Sequence, residues 1–386
     1  MNTKEKTMPG VRQPVKTEKI RYIFLALLTT FCFSCKQNRP ASKMEWIGLS
    51  ADGQKLVEVS TGKTFQMWGV NYDRDYKLRL MDDYWFDDWD TVTEDFDEMK
   101  EMGLNVVRIH LQFGRFMDTP TQPNMQALNQ LTRLIRVAEE REMYLYVTGL
   151  GCYKKQNIPD WYEAMDEHER TAAQATFWKH LARVCASSPA VLCYDLMNEP
   201  IVSMSEPIDD WVTGGIEELY YVQNLAKKLN GRTPQEIAKP WVDTLAAAIR
   251  AEDSRHLITV GAIPLELYEV IWPDVKPLFN DPAVCENLDF ISVHFYPEKG
   301  EVTKALHVLS LYDIGKPIVI AETFPISCSF EEIDHFIEAS KSIAQGWISF
   351  YWGKTIEEYA QENNIGSAIM KQWLEYYKEK GKLILK

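Results

Sequence analysis

Short apolar segments alternate with segments of helical periodicity along most of this chain, and this alternation constrains the fold more than any other feature. Most of the apolar segments are near-continuous hydrophobic runs, which is typical of parallel strands buried on both faces. The eight candidate strands are Phe65–Val70, Asn105–Leu111, Tyr144–Thr148, Val191–Met197, Leu257–Val260, Phe290–His294, Ile318–Glu322 and Trp347–Tyr351.

The segments between these strands read as helices. A capping box, Thr91-x-x-Glu94, indicates a helix that stops at Gly103, and further helices are expected at Leu128–Arg141, Arg170–Ala186, Gln235–Ala251 and Ile365–Lys380. Two turns between Trp46 and Thr64 predict a hairpin before the first strand. We therefore expect one α/β domain over residues 46–386, a single (β/α)8 TIM barrel with a short N-terminal β-hairpin. Catalytic groups of such a barrel lie at the C-terminal strand ends.

Residues 1–35 have the layout of an export signal. Six Lys/Arg and two Glu precede an apolar run, Tyr22–Phe33, that is too short to span a membrane comfortably. The Ser34-Cys35 pair after this run resembles the lipobox of bacterial lipoproteins, in which Cys35 would be lipidated. Residues 36–45 would then be a tether. An ordinary cleaved signal or an uncleaved anchor is the alternative. We expect an exported protein, lipid-anchored to the bacterial cell envelope on its periplasmic face or at the cell surface.

Charge and cysteine content narrow the choice of partners. The formal net charge of −14 argues against a nucleic-acid partner. Five cysteines follow the signal, and they cannot all pair; they are Cys152, Cys185, Cys193, Cys285 and Cys328. None has zinc-site spacing, so we expect buried thiols and no metal site, although an exported compartment permits one or two disulfides.

Two glutamates end strands at the same predicted face of the barrel. The fourth strand ends in Asn198-Glu199-Pro200 and the seventh in Glu322. A glutamate at the end of an apolar strand is costly to bury unless it is paired or used. A structural ion pair could explain one of them, whereas two favour paired acid/base chemistry. Glycosidic cleavage uses such a pair, because one acid protonates the leaving oxygen while a carboxylate attacks the anomeric carbon. Asn198 could bind the sugar 2-hydroxyl.

Other side chains converge on the same end. Arg108 and His110 share one face of the second strand, so Arg108 could keep a carboxylate ionised or close a structural salt bridge. His294 and Tyr296 share a face at the end of the sixth strand and could hydrogen-bond a carboxylate or a sugar hydroxyl, although a histidine there is often structural. Trp352 could be a sugar platform or part of the barrel packing.

Taken together, these motifs resemble the cellulase/β-mannanase family, glycoside hydrolase family 5, a family of retaining enzymes. The resemblance covers roughly residues 46–380 and rests on Trp68-Gly69-Val70-Asn71, Gly103-Leu104-Asn105-Val106-Val107-Arg108, Leu196-Met197-Asn198-Glu199-Pro200, His294-Phe295-Tyr296, Pro317-Ile318-Val319-Ile320-Ala321-Glu322 and Trp352. It implies that Glu199 is the general acid/base and Glu322 the nucleophile, supported by Arg108, Asn198, His294, Tyr296 and Trp352. It further implies double displacement on a β-linked glucan, mannan or related oligosaccharide, without a cofactor.

Two features depart from a cellulase-type sequence. The segment after the third strand, Val147–Tyr153, lacks the histidine usual in that type, which argues against a β-glucan specificity. The stretch Ile201–Thr233 is long and contains Trp211, Tyr220 and Tyr221, and such loops build sugar subsites at a barrel mouth. Both features indicate an unusual glycan.

The acidic and aromatic run Asp82–Glu98 allows two interpretations. Trp85 or Trp89 could stack on sugars in a glycan cleft, or the run could be a solvated loop leading into a helix whose N-terminus favours acids. It lacks the ligand spacing of an EF-hand, so no calcium site is expected.

Two other classes of function remain alternatives. One is a non-catalytic glycan-binding surface lipoprotein on the same barrel, although the presence of both glutamates with Arg108 speaks against it. The other is a metal-dependent hydrolase using His110 and His294, for which the sequence shows no His-x-His motif or carboxylate/histidine cluster.

Overall fold

The computed structural model describes residues 44–386, apart from residues 76, 206–207, 217 and 268–272. The predicted signal, Cys35 and most of the tether lie outside the described residues. Within the described part, no helix is both long enough and apolar enough to cross a membrane.

Eight parallel strands form a closed barrel, which confirms the predicted fold. In chain order they are β1 Met67–Tyr72, β2 Val106–Gln112, β3 Tyr144–Gly151, β4 Val191–Asn198, β5 Leu257–Ala262, β6 Ile291–His294, β7 Ile318–Thr323 and β8 Ala344–Ser349. Each strand pairs with its sequence neighbours, and β8 pairs with β1 to close the ring. The predicted N-terminal hairpin is present as Ile47–Leu49 paired with Leu56–Glu58.

Seven helices of nine or more residues surround the barrel in the described part of the chain. They are α1 Trp89–Glu101, α2 Met125–Glu140, α3 Glu167–Cys185, α4 Pro234–Arg250, α5 Val302–Ser310, α6 Phe330–Ser340 and α7 Ile365–Ile384. One-turn helices occur at Met81–Tyr84, Phe113–Phe116, Asp160–Glu163 and Ile356–Ala360. The described residues between β5 and β6 contain only a short 3-10 turn, Leu265–Leu267, so this unit lacks a long helix there.

The start of α1 differs from the predicted capping box. The helix begins at Trp89, before Thr91, and the Thr91 hydroxyl donates to Asp88 Oδ1 at 2.7 Å. Capping boxes do start α3, α4 and α6, where a side-chain oxygen accepts from the third backbone N–H and a glutamate returns the bond. At α1 the Asp88 side chain accepts from the Thr91 hydroxyl and caps no backbone N–H.

Large aromatic side chains fill the space between the barrel and its helices. Trp68 of β1 stacks on Tyr377 of α7 with ring centroids 3.9 Å apart. Trp85 is fully buried, and the guanidinium of Arg133 covers the ring of Trp89 at 4.2 Å. The acidic and aromatic run therefore places Trp85 in the core, and the cation of α2 occupies one face of Trp89.

The five cysteines of the described part are unpaired in the structure. Four are buried and Cys328 is partly exposed. Burial raises the pKa of Cys152 to about 11 and that of Cys285 to about 12, so these thiols stay neutral near pH 7. They behave as small apolar side chains of the core.

Gly69 lets β1 approach β2 closely, which gives a test of the barrel packing. A Cβ at position 69 would lie 2.3 Å from the Val106 carbonyl oxygen, so Gly69→Ala must push backbone apart. We expect a loss of about 1–3 kcal/mol in unfolding free energy, measured by denaturant titration. Gly366→Ala is the matched control, because its Cβ would meet only Asn364 Oδ1 at 3.4 Å. Equal stability of the two variants would contradict this account.

Candidate active site

The C-terminal ends of the barrel strands bring six of the seven predicted site residues of the barrel into one hydrogen-bonded cluster. These residues are Arg108, Asn198, Glu199, His294, Tyr296 and Glu322. The Trp352 backbone N–H donates to the Asn71 carbonyl at 2.7 Å, but its indole N–H donates to Asp95 and not to this cluster. A cluster of ionisable groups at this end of a (β/α)8 barrel is the usual position of an active site.

Arg108 is the hub of this cluster and is completely buried. Its Nη1 donates to Glu322 Oε1 at 2.6 Å and its Nη2 donates to Asp195 Oδ2 at 2.7 Å. Nη1 also donates to Asn71 and Nη2 to Asn198, each at 2.8 Å. A buried guanidinium is tolerated only with such partners, so Arg108 orders the surrounding side chains as much as it pairs charge.

Asp195 is an essential part of the cluster that the sequence analysis did not select. One of its carboxylate oxygens pairs with Arg108, and the same oxygen accepts from the Thr148 hydroxyl at 2.8 Å. The other accepts from the Gly261 N–H at 2.7 Å. The available signal was an aspartate inside an otherwise apolar strand, which needs a buried cation for a partner.

Gly261 of β5 is the second residue that sequence reasoning missed. A Cβ at this position would lie 2.8 Å from both Arg108 Nη2 and His294 Nε2, and 3.0 Å from Asp195 Oδ2. Only glycine leaves room for the guanidinium and the imidazole to pack against the β5 backbone. Its signal in the sequence was a glycine within an apolar strand, which often marks a close approach.

Irregularities in strand pairing decide which side chains face each other. Asp195 pairs with Thr259 and Asn198 with Gly261, so β4 contains one more residue than β5 over this interval. The resulting β-bulge lets Asp195 and Asn198 both reach Arg108, although they are three residues apart. A similar shift in β7 sets Glu322 beside His294.

Glu199 and Glu322 approach each other closely. One carboxylate oxygen of each, together with a ring nitrogen of His294, lies within 4.8 Å of the others. Glu199 Oε1 is 2.8 Å from His294 Nδ1, and Glu322 Oε2 accepts from the Tyr296 hydroxyl at 2.6 Å. Retaining glycosidases place their two carboxyl groups about 5–5.5 Å apart, against roughly 6.5–9.5 Å in inverting enzymes. The observed approach fits the retaining arrangement.

The backbone of Glu199 is held in an unusual conformation. Its φ of 48° lies in the left-handed region, which is uncommon for a residue with a side chain. The Glu199 N–H donates to the Gly261 carbonyl at 2.8 Å, and the Glu199 carbonyl accepts from the Gln223 N–H at 3.3 Å. These two bonds fix the direction in which the carboxyl group leaves the strand.

The two carboxyl groups have different electrostatic surroundings. Burial raises the pKa of Glu199 well above its ordinary value, and the charge of Glu322 raises it further. Burial also raises the pKa of Glu322, but Arg108 and the Tyr296 hydroxyl oppose that rise directly. When the pair shares one proton, Glu199 therefore holds it and Glu322 carries the charge.

The two histidines of the cluster are neutral. Burial and the positive charge of Arg108 lower the pKa of His110 and of His294 well below the ordinary value. His110 is hydrogen-bonded on both nitrogens, to the Tyr153 hydroxyl at 2.7 Å and to Asn71 Oδ1 at 3.1 Å. His110 therefore has no free nitrogen to share with His294 as a metal ligand.

A carboxylate/histidine group that the sequence did not reveal is formed by the fold. Among the described residues, Glu199, His294 and Glu322 are close enough to bind one cation. However, Arg108 already neutralises Glu322, and Glu199 is the group that holds a proton. The direct hydrogen bonds of Glu199 to His294 and of Glu322 to Tyr296 account for the arrangement without an ion.

Phe350, rather than Trp352, is the partly exposed aromatic side chain of the segment after β8 that packs near Tyr296. Trp352 is only 1% exposed and its indole N–H donates to Asp95 at 3.2 Å, so this side chain is part of the packing. Phe350 is half-buried, with its ring centroid 6.2 Å from that of Tyr296 and 6.4 Å from that of Tyr221. The predicted strand end at Tyr351 was two residues too late, because β8 ends at Ser349.

Tyr153 occupies the region after β3 where the cellulase-type histidine is missing. Its hydroxyl bonds His110, and its carbonyl accepts from the Tyr220 N–H at 2.8 Å. The long stretch after β4 contributes Tyr220 through a small sheet of Pro200–Ile201, Val212–Ile216 and Leu219–Asn224. Tyr153 thus joins the catalytic end of the barrel to this inserted sheet.

A model of the cellulases, glycosyl hydrolase family 5, matches residues 59–384, which include the whole barrel. The chain belongs to glycosyl hydrolase family 5. Membership is consistent with the close approach of the two strand-end glutamates, and it supports the resemblance found in the sequence.

Individual relatives of this family 5 chain are distant. Mannan endo-1,4-beta-mannosidase A of Hypocrea jecorina is 22% identical over 71% of this chain and 65% of its own length. An exo-beta-1,4-mannosidase from Opitutaceae bacterium strain TAV5 has a TM-score of 0.62 at 16% identity, over 87% of this chain and 62% of that one. An endoglucanase catalytic domain of Thermobifida fusca has a TM-score of 0.55 at 14% identity, over 87% and 97%.

The chain thus spans slightly less than two thirds of the length of the first two relatives. At these identities the structural similarity establishes the shared barrel fold.

The coupling between the two glutamates can be measured without a substrate. Glu322→Gln removes the negative charge that raises the pKa of Glu199, so the pKa of Glu199 should fall toward its ordinary value. Carbon-13 NMR titration of glutamate side chains reads this directly. Glu379→Gln, at an exposed ion pair on α7, is the control and should leave the Glu199 titration unchanged. If the pKa of Glu199 were unchanged in Glu322→Gln, the proposed coupling between the two glutamates would be contradicted.

Proposed function

We propose that this family 5 protein is a retaining β-glycosidase that cleaves O-glycosidic bonds by double displacement. The observation that carries the proposal is the approach of the two carboxyl groups, with oxygens within 4.8 Å and only one of them neutralised by Arg108. That arrangement supplies a charged nucleophile and a protonated acid on one anomeric centre.

In the first step, ionised Glu322 attacks C1 of the sugar while the C1–O bond breaks. The proton of Glu199 moves to the leaving oxygen, so the departing alcohol is neutral and the sugar is esterified to Glu322. Arg108 and Tyr296 hold Glu322 by one oxygen each, which orients the carboxylate for the attack. Glu199 becomes charged at the moment when the charge on Glu322 is consumed.

In the second step, Glu199 acts as the base. It takes a proton from a water molecule, whose oxygen attacks C1 and breaks the ester to Glu322. The product keeps its anomeric configuration, and Glu199 is again protonated while Glu322 is ionised. No cofactor is required for either step.

The neighbouring side chains suggest how the sugar is held. Asn198 accepts from Arg108 through its oxygen and donates to the Tyr221 carbonyl at 3.1 Å, which leaves a second amide N–H for the sugar 2-hydroxyl. The half-buried Phe350 provides an apolar face beside Tyr296 for the sugar ring. In this proposal Phe350 takes the stacking role that the sequence suggested for Trp352.

The named relatives suggest the class of substrate. Two of them are described as acting on β-1,4-linked mannan or mannosides, and a third is an endoglucanase. The replacement of the cellulase-type histidine by the Tyr153–His110 contact favours mannosides over glucans. A panel of β-1,4-linked mannose and glucose oligosaccharides would rank the two.

Removing the proposed nucleophile should abolish turnover. Glu322→Ala is expected to lower kcat by roughly 10⁴- to 10⁶-fold, as loss of a catalytic nucleophile does elsewhere. Hydrolysis of aryl β-mannoside and β-glucoside provides the measurement, with circular dichroism as the check of folding. Glu332→Ala serves as the control, because this glutamate belongs to the capping box at the start of α6 and not to the cluster around Arg108.

Several outcomes of that experiment bear on the proposal. Near-normal hydrolysis by Glu322→Ala would overturn the nucleophile assignment. Release of the inverted anomer by the unaltered protein would overturn double displacement. Glycan binding without product formation over days would instead indicate a binding protein.

We also propose that the protein is exported and lipid-anchored to the bacterial cell envelope through Cys35. The proposal rests on the basic N-terminal residues, the apolar run Tyr22–Phe33 and the Ser34-Cys35 pair. The tether of residues 36–45 would hold the barrel close to the membrane surface.

Lipidation can be tested by substitution in the full-length chain. Cys35→Ser should abolish incorporation of a fatty-acid label and release the protein from the membrane fraction, because the thiol that accepts the lipid is lost. Cys32→Ser is the matched control, since this second cysteine lies within the apolar run. Equal labelling of the two variants would contradict the assignment of Cys35.

A further inference from the structure

Three loops are joined across the barrel mouth by one arginine. Arg74, shortly after β1, donates through Nη1 to the hydroxyl of Tyr221 in the sheet inserted after β4. Its guanidinium lies over the ring of Tyr351, after β8, at 4.6 Å, and 5.9 Å from that of Phe350. We refer to Arg74, Tyr221, Phe350 and Tyr351 as the mouth bridge.

The order of strands shows what the mouth bridge spans. The ring runs β5, β6, β7, β8, β1, β2, β3, β4, so β4 and β8 lie on opposite sides of the barrel. A contact that links Tyr221 to Tyr351 therefore crosses the mouth. The rings of Tyr221 and Phe350 also approach directly, at 6.4 Å.

Both ends of the mouth bridge rest on ordered structure. Asp75 accepts from the backbone of Lys77 and Arg79, at 2.8 and 2.9 Å, and from Arg79 Nε, which fixes the turn after Arg74. On the opposite side, the Tyr221 carbonyl accepts from Asn198. The segments that carry Arg74 and Tyr221 are therefore both held by hydrogen bonds, so the mouth bridge forms a fixed wall across the cleft.

A buried carboxylate with a free oxygen lies at the foot of this wall. Asp73 is 1% exposed; its Oδ1 accepts from the Arg74 N–H at 2.6 Å, while its Oδ2 has no hydrogen-bond partner. Burial raises the pKa of Asp73 to about 6, Arg74 opposes this rise, and the nearby Glu322 adds to it. A buried acceptor without a partner is costly unless a ligand satisfies it.

Asp73 lies two residues after Asn71, whose side-chain amide donates to the Ala321 carbonyl at 2.9 Å, directly before Glu322. This proximity to Glu322 indicates which sugar Asp73 would meet. Glu322 forms its bond to C1 of the sugar that is released last, the glycone. Carboxylate oxygens accept hydrogen bonds from sugar hydroxyls, and charged acceptors make the stronger bonds. A wall next to the glycone leaves no path for a further sugar on that side.

We propose that the mouth bridge closes the glycone end of the cleft, so that the enzyme removes single sugars from the non-reducing end of β-linked oligosaccharides. Asp73 Oδ2 binds hydroxyls of that terminal sugar. This inference rests on the proposed retaining glycosidase function and adds to it the mode of attack and a specificity residue.

The product pattern of a labelled oligosaccharide tests the proposal. The probes are mannopentaose and cellopentaose, β-1,4-linked and carrying a fluorophore at the reducing end. The unaltered protein should release unlabelled monosaccharide and a labelled tetramer first. Shorter labelled fragments among the initial products, or a rapid fall in the viscosity of a polymeric mannan or glucan, would overturn the terminal mode of attack.

Two variants separate the wall from the acceptor. Arg74→Ala should open the cleft and raise the share of internal cleavage about tenfold or more. Asp73→Asn should lower kcat/KM for aryl glycosides roughly 10- to 100-fold, the loss expected for a hydrogen bond to a charged acceptor, without changing the product pattern. Arg133→Ala is the matched control, because it also removes an arginine that packs on an aromatic ring, that of Trp89, but does so between helices α2 and α1. This variant should behave as the unaltered protein.

Failure of this inference can be told apart from failure of the glycosidase proposal. A glycosyl donor with fluorine at C2 traps the ester on the nucleophile, and mass spectrometry of the peptides locates it. Labelling of Glu322 together with internal cleavage by the unaltered protein would overturn only the terminal mode. An unlabelled Glu322 with no turnover on any probe would overturn the glycosidase proposal itself. Tyr221→Phe keeps the ring and removes the hydroxyl, so it reports on the mouth bridge if Arg74→Ala does not fold.

Discussion

The buried guanidinium of Arg108 is the interaction on which the rest of the site depends. It is shared between Asp195, a buried carboxylate for which it is the cationic partner, and Glu322 at the mouth. Removing one carboxylate would leave a buried charge under-compensated, a change that is usually strongly destabilising. The close packing at Gly261 follows from the same requirement, because the guanidinium lies against the β5 backbone. The arrangement of the proposed catalytic residues and the stability of the barrel interior are therefore linked.

This linkage also explains how two similar glutamates can have different roles. Glu322 is bound by Arg108 and by Tyr296, whereas Glu199 is hydrogen-bonded to the neutral His294. One carboxyl group has a cation and the other does not, so a single shared proton goes to Glu199. The difference arises from position around the barrel, since Arg108 on β2 reaches toward β7 and β4 at the same time. The proposed acid and the proposed nucleophile are thus distinguished by their neighbours and not by residue type.

The loops at the mouth of the barrel form the rim above these side chains. The sheet inserted after β4 brings Tyr221 to the mouth, and the loops after β1 and β8 bring Arg74 and Tyr351. In (β/α)8 enzymes the strands position the reacting groups while the loops select the substrate. The buried, unpartnered oxygen of Asp73 lies at the junction of these two parts. The proposed terminal attack is thus a property of loops placed on an ordinary family 5 barrel.

The sequence by itself determined the order of the eight barrel strands, most of the helices between them and the two strand-end glutamates, because apolar runs and strand-end acids are local signals. It did not reveal that the described residues between β5 and β6 contain only a 3-10 turn. The pairing of Asp195 with Arg108 and the close packing of Arg108 against Gly261 were not predicted. Neither alternation nor composition shows which side chains of different strands meet inside the barrel. Only the tertiary structure decided that Phe350 rather than Trp352 is partly exposed near Tyr296, because β8 ends two residues earlier than its apolar pattern. The β-bulge that turns Asp195 and Asn198 toward the same guanidinium is likewise a matter of pairing between strands, which a period of two within one strand cannot encode.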